Sequence, residues 1–118
     1  MAIYVAAPIW HKGQIAGSIG FLRIDWDARR TEIGYWLGSD FEGKGLMSKA
    51  CNALVVHAFN DLNLRKIEIG VATYNMKSRA IPERIGFTQE GTIRNYELLH
   101  NQFLDRVIYG LLKEEWQQ

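Results

Sequence analysis

At 118 residues the chain has room for one domain with a real core and not for two. Apolar residues make up 47% and the formal net charge is +1, a balance that gives no reason to expect electrostatic binding to nucleic acid or to an anionic membrane. No segment reaches the roughly 18 consecutive apolar residues of a membrane span, Met1 to Trp10 has neither the basic start nor the cleavage site of a signal peptide, and the single cysteine suits a reducing compartment, so a soluble cytoplasmic protein is expected.

Ile3 to Trp10 and Ile15 to Ile24 read as strands joined by the glycine-containing connection His11-Lys12-Gly13-Gln14, a hairpin. Asp25 to Arg30 is a polar turn. Thr31 to Leu37, rich in β-branched and aromatic residues, is a third strand. A helix follows from about Leu46 to Asp61, because Leu46, Met47, Ala50, Leu54, Val55, Ala58, Phe59 and Leu62 recur at steps of three and four and give it one face to lay on a sheet. Cys51 falls on that helix as a packed thiol and His57 as a packing or surface residue. Lys66 to Thr73 alternates, with Ile67, Ile69 and Val71 on one face. Lys77 to Ile85 is a short helix ended by Gly86 as its C-terminal cap, and Pro82 is tolerable there only within or near the first turn. Phe87 to Leu99 and Phe103 to Trp116 form a last hairpin around His100-Asn101-Gln102. The expectation is a single α/β (α+β) domain over residues 1–118, with a mixed sheet and a β-α-β crossover at its centre.

The crossover contains the most informative stretch, Glu42-Gly43-Lys44-Gly45-Leu46-Met47, where a strand turns through glycines into a helix. Such a turn presents unpaired backbone N–H groups and the positive end of a helix dipole, and two glycines let that backbone approach a ligand closely. It reads as a phosphate cradle. Gly38 and Gly43-Lys44 fit the frame of a nucleotide-binding P-loop, but Gly45 stands where a Ser or Thr should hold Mg²⁺; Gly43 and Gly45 half fit the dinucleotide fingerprint, but Ser48 takes the third glycine position. The strand ends at Leu37 and Thr73 open toward the same crevice as the glycine turn, as ligand crevices of open α/β sheets do. Asn75 and Ser78 follow the second strand end and Glu32 lies on the first strand. A phosphate cradle beside a carboxylate and a hydroxyl, with no metal-ligand spacing in the sequence, suggests group transfer from a phosphate-bearing carrier.

Glu42-Gly43-Lys44-Gly45-Leu46-Met47 resembles the Q/R-x-x-G-x-G/A motif of the GNAT superfamily of acetyl-CoA-dependent N-acetyltransferases. Glu32-Ile33-Gly34-Tyr35-Trp36, Asn75-Met76-Lys77-Ser78, Glu83-Arg84-Ile85-Gly86-Phe87 and the tail from Asp105 to Trp116 are similar to further signatures of its RimJ/RimL branch, which acetylates protein N-termini, notably of ribosomal proteins. The resemblance covers essentially the whole chain and implies a mixed, mostly antiparallel sheet with flanking helices. Glu42 departs from the motif's Gln or Arg and puts a negative charge near the pyrophosphate unless it caps the turn; Met47 departs from its second small residue and is tolerable if only its amide faces the ligand. A strand and two helices precede the match to Ile3–Trp10 in the family and are missing here, so the chain looks like an N-terminally truncated, carrier-binding core, either a fragment or completed by a second chain. The edge strand this leaves exposed favours a homo-oligomer.

The resemblance further implies that acetyl-CoA lays its pyrophosphate on the amides from Gly43 to Ser48, with Lys44, Gly45, Leu46, Met47 and Arg84 at the carrier, and runs its pantetheine arm beside Trp36 and Leu37 in a splay between the central strands. Glu32 would take the proton of an amine acceptor through water, Ser78 would meet the leaving thiolate, and Asn75 would hold the pantetheine. Each has a plainer reading. Glu32 could pair with Arg29 or Arg30, Ser78 could cap the short helix, Asn75 could be a turn residue, and Lys44 and Lys49 could be solvated charges or reach the 3′-phosphate. Tyr96 and Tyr109 could edge the acceptor site or lie in the core. The acceptor would be a protein N-terminus, a polyamine or another small amine; a non-catalytic acyl-CoA-binding module is the remaining alternative. No metal is implied.

Overall fold

The computed structural model describes residues 5–116. Strands β1 (Val5–His11), β2 (Gln14–Asp25) and β3 (Arg30–Leu37) form an antiparallel meander, as the alternating pattern and the Gly13 turn dictate. Helix α1 (Leu46–Asn60) then crosses to β4 (Lys66–Ala72), which lies parallel to β3. Helix α2 (Met76–Ile85) leads into the hairpin of β5 (Thr88–Leu99) and β6 (Gln102–Leu112). The strand order is β1-β2-β3-β4-β6-β5, a six-stranded sheet with one parallel pairing at its centre. Ile3 and Tyr4, at the start of the expected first strand, lie outside the described residues.

One sheet face carries the core. In-register neighbours share a face, so Ile67 with Leu111, Ile69 with Tyr109 and Val71 with Val107 line it together, all buried. The apolar stripe of α1 supplies Met47, Cys51, Val55, Ala58 and Phe59 to the same cluster. Helix α2 docks beside α1 on that face, where Tyr109 donates its hydroxyl hydrogen to Glu83 at 2.6 Å and accepts from Arg79 at 3.0 Å. Tyr109 is thus a core residue rather than an edge of the acceptor site. The opposite face carries Ser18, Gly20, Glu32, Gly34 and Trp36 from the meander, and no helix among the described residues covers it.

Two expectations are corrected by packing. The last strand stops at Leu112, not Trp116: Lys113–Glu115 form a 3-10 turn, with Leu112 N–H donating to Glu115 Oε1 at 3.0 Å, and Trp116 folds back on Phe59 with ring centroids 5.1 Å apart. Trp116 looks like a strand residue because it is apolar, but its partner is α1. Pro82 sits in the second half of α2 and is buried, well past the first turn. A proline there cannot donate to the carbonyl four residues back, and that carbonyl, Ser78 O, accepts the Tyr35 hydroxyl of β3 at 3.0 Å instead.

Candidate active site

The parallel pair at the sheet centre is short. Only Arg30, Thr31 and Glu32 of β3 register with Lys66, Ile67 and Glu68 of β4; beyond them the strands diverge toward their carboxyl ends. Into this splay open two clefts. A 900 Å³ cleft on the helix-bearing side is walled by the glycine turn, the start of α1 and one flank of α2. A 480 Å³ cleft on the helix-free side is lined by Glu32, Gly34 and Trp36 of β3, by Tyr74, and by Glu97 and Arg106 of the last hairpin. Tyr35, Trp36, Asn75 and Ser78 line both, so the clefts meet at those residues.

The larger cleft contains the cradle. Gly43 (φ 79°) and Gly45 (φ 73°) are both left-handed, which is why glycine is needed at each: an added Cβ would meet nothing within 4 Å, so conformation and not crowding sets the requirement. Gly45 is the N-cap of α1 and makes no side-chain cap bond. The helical ladder starts with Lys49 N–H to Gly45 O at 3.2 Å, leaving the amides of Leu46, Met47 and Ser48 without helical acceptors at the positive end of the dipole. The Met47 side chain is buried in the core, so its bulk is directed away from the groove.

Charged side chains bridge the cleft from α2. Lys77 Nζ donates to Glu42 Oε1 at 2.9 Å, and Arg84 Nη1 donates to Ser48 Oγ at 2.9 Å. The Glu42 carboxylate is therefore neutralised by Lys77 rather than spent as a cap on the turn. Every residue expected at the carrier lines this cleft except Lys44, whose exposed side chain lies outside the lining set. Asn75, not Ser78, is the N-cap of α2: its Oδ1 accepts Ser78 N–H at 3.2 Å. That leaves the Ser78 hydroxyl without a capping duty, at the junction of the two clefts.

In the smaller cleft Glu32 is half-buried, and among the described residues no ion pair holds it; Arg30 pairs with Asp25 instead. Arg106 lies on the sheet with Nη2 donating to Gly70 O at 3.2 Å and its guanidinium 4.5 Å from the Tyr96 ring centroid. A Cβ on Gly70 would come 2.5 Å from Arg106 Nε, so glycine makes that seat possible. Tyr96 thus supports Arg106, and the tyrosines lining the cleft are Tyr35 and Tyr74. Sequence reasoning assigned no role to Tyr35, Tyr74, Lys77, Glu97 or Arg106. Lys77 had a signal in the unbalanced charge of Glu42; the others become neighbours only through tertiary folding.

Two groups are set aside by their environment. Burial pushes the Cys51 thiol up to about 12, so it stays protonated and is no nucleophile. His57 is exposed, bonds Asp61 at 2.7 Å four residues on, and belongs to neither cleft lining. Among the described residues no cluster of three metal-capable side chains occurs, and no helix is long and apolar enough to cross a membrane.

A glycine cradle at a helix start, set beside a splayed parallel strand pair, defines a GNAT-type architecture, and the acetyltransferase (GNAT) domain family matches residues 2–88. The chain belongs to that family. YdaF of Bacillus subtilis (strain 168) is 42% identical over 113 residues, covering 96% of this chain and 62% of YdaF. The ribosomal-protein-serine acetyltransferase of Escherichia coli (strain K12) is 33% identical over 102 residues, 86% of this chain and 57% of that protein. Among solved structures, the microcin C7 self immunity acetyltransferase MccE, in complex with acetyl-CoA and AMP, superposes with a TM-score of 0.83 at 35% identity, over 92% of this chain and 60% of MccE. The chain spans about three fifths of the length of these relatives.

Proposed function

We propose that this chain transfers the acetyl group of acetyl-CoA to an amine, the N-terminal amino group of a protein such as a ribosomal protein, by direct attack in a ternary complex. The observation that carries this reading is the meeting of a phosphate-cradle cleft and a carboxylate-bearing cleft at Tyr35, Trp36, Asn75 and Ser78. Family membership and the acetyl-CoA complex of MccE support the donor; the ribosomal-protein-serine acetyltransferase supports the acceptor class.

In this reading the pyrophosphate of acetyl-CoA rests on the amides from Gly43 to Ser48, with Arg84 and Lys77 close by. The pantetheine arm runs along Trp36 and Leu37, where β3 has lost its β4 partner, and a backbone N–H there polarises the thioester carbonyl and stabilises the oxyanion. The acceptor enters from the helix-free side. Glu32 takes its proton through a water, and the neutral nitrogen attacks the carbonyl carbon. The C–S bond then breaks, the thiolate departs with a hydrogen bond from the Ser78 hydroxyl, and the proton shed by the attacking nitrogen as the amide forms protonates it to free CoA. A polycationic acceptor fits less well, because Glu32 and Glu97 share their cleft with Arg106.

The test is thiol release from acetyl-CoA with N-terminal peptides and with spermidine as acceptors, alongside CoA affinity by calorimetry. Turnover with peptides is expected, and Glu32→Gln should lower kcat by about 10²- to 10⁴-fold with CoA affinity kept. Turnover on small amines alone would remove the protein acceptor. CoA binding without turnover, unchanged by Glu32→Gln, would select a non-catalytic acyl-CoA module.

A further inference from the structure

Helix α2 presents Ser78 to both clefts, yet it contains a flaw one turn later. Pro82 is buried inside the helix and has no N–H, so the carbonyl of Ser78 has lost its usual i+4 donor. A partly buried carbonyl without a donor carries a desolvation penalty. The Tyr35 hydroxyl fills that place at 3.0 Å, reaching across from β3. Tyr35 belongs to the one strand segment that borders both clefts, next to Trp36. The bond therefore ties the strand expected to carry the thioester to the very residue expected to meet its leaving sulfur.

We propose that Tyr35 is a positioning residue, whose hydrogen bond to the Ser78 carbonyl, made available by Pro82, holds the Ser78 side chain at the junction of the two clefts. This rests on the proposed role of Ser78 at the departing thiolate. Tyr35 itself acts as a donor to backbone and exchanges no proton with substrate; its hydroxyl is held protonated, mainly by burial, with Cys51 and Tyr109 nearby adding to the effect. The contact can be replaced in a defined way. In a Pro82→Ala chain residue 82 regains an N–H that the helix aims at Ser78 O, so the Tyr35 hydroxyl becomes redundant. Tyr35 and Pro82 are thereby coupled although they lie on different elements and nothing in the sequence links them.

The experiment is a double-mutant cycle on the whole chain with Tyr35→Phe, Pro82→Ala and both together, read in kcat, in KM for acetyl-CoA and in thermal unfolding, with Ser78→Ala as reference. Tyr35→Phe is expected to lower kcat by about tenfold with KM for acetyl-CoA within about twofold, and the loss should shrink to about twofold in the Pro82→Ala background. An equal loss in both backgrounds overturns the proposal. So does a lowered melting temperature with kcat unchanged, which is the mark of a merely structural bond. If Ser78→Ala leaves kcat intact, the thiolate role of Ser78 fails and the positioning role with it, a result separate from a flat cycle because the stability arm still reads the hydrogen-bond exchange. Should the chain bind CoA without turnover, the thiolate role of Ser78 fails and the positioning role fails with it.

Discussion

At the residue scale, burial decides which reactive-looking groups are chemically silent. Cys51 sits fully enclosed on the buried face of α1, and its thiol is pushed up to about 12 by loss of solvent. Tyr35 is shifted upward as well, chiefly by burial. Both are acids whose folded form keeps a proton that the unfolded chain releases, at about 9.0 for Cys and 10.0 for Tyr. Their contribution to stability is therefore complete below pH 9 and is lost as pH rises above it, because the unfolded state then binds fewer protons. The slope for each group is about 1.4 kcal/mol per pH unit once its unfolded form ionises. Denaturant midpoints measured from pH 7 to 11 should be level to about 9 and fall beyond it, and Cys51→Ala should remove the earlier part of the fall. A thiol reagent at pH 8 should find no reactive group until the chain unfolds. A midpoint that rises above pH 9, or a thiol titrating in the native state, would contradict the burial assigned here.

At the scale of elements, two glycines in the same left-handed conformation do different work. Gly45 (φ 73°) opens α1 in the larger cleft, and Gly86 (φ 108°) closes α2 outside both. A Cβ would touch nothing within 4 Å at either, so alanine at each should cost about 1–2 kcal/mol through backbone conformation alone. Only Gly45→Ala also adds a methyl to the wall of the larger cleft, so CoA affinity by calorimetry should drop by about tenfold there and stay level in Gly86→Ala. Equal affinities in both variants would mean that the turn does not hold the carrier. The Gly86 cap and the cradle were legible beforehand because a glycine at a helix end, and glycines between a strand and a helix, are local signals. Strand and helix limits were legible for the same reason, to within a few residues. The cap of α2 was not: Asn75 and Ser78 both suit the position, and only the 3.2 Å bond to Asn75 Oδ1 separates them. Nor was the tolerance of Pro82, which depends on a donor 47 positions earlier in the chain, or the Lys77 bridge to Glu42, which depends on how α2 faces the glycine turn. What sequence alone misses here is tertiary exchange of hydrogen bonds and charge.

At the scale of the whole molecule the sheet is two three-stranded halves, β1-β2-β3 and β4-β6-β5, joined by three in-register pairs and by the crossing helix α1. The splay beside the candidate site is also the shortest strand pairing in the sheet. A carrier seated in it would add hydrogen bonds to the free flank of β3 and countercharge to the cradle, and would thereby tie the halves together. Acetyl-CoA at a hundredfold excess over its Kd should stabilise the fold by about 2.7 kcal/mol, a rise in melting temperature on the order of 10 °C for a chain of this size. Hydrogen exchange should locate the effect, slowing amides in 33–37 and 43–48 while leaving those of 88–99 on the distant hairpin unchanged. The mass of the same sample is expected above that of a monomer, because β1 and β5 are open sheet edges and the β5–β6 hairpin exposes Leu98 and Phe103. Protection spread evenly over both halves, or none at 43–48, would detach the carrier from the splay and reject the site as drawn.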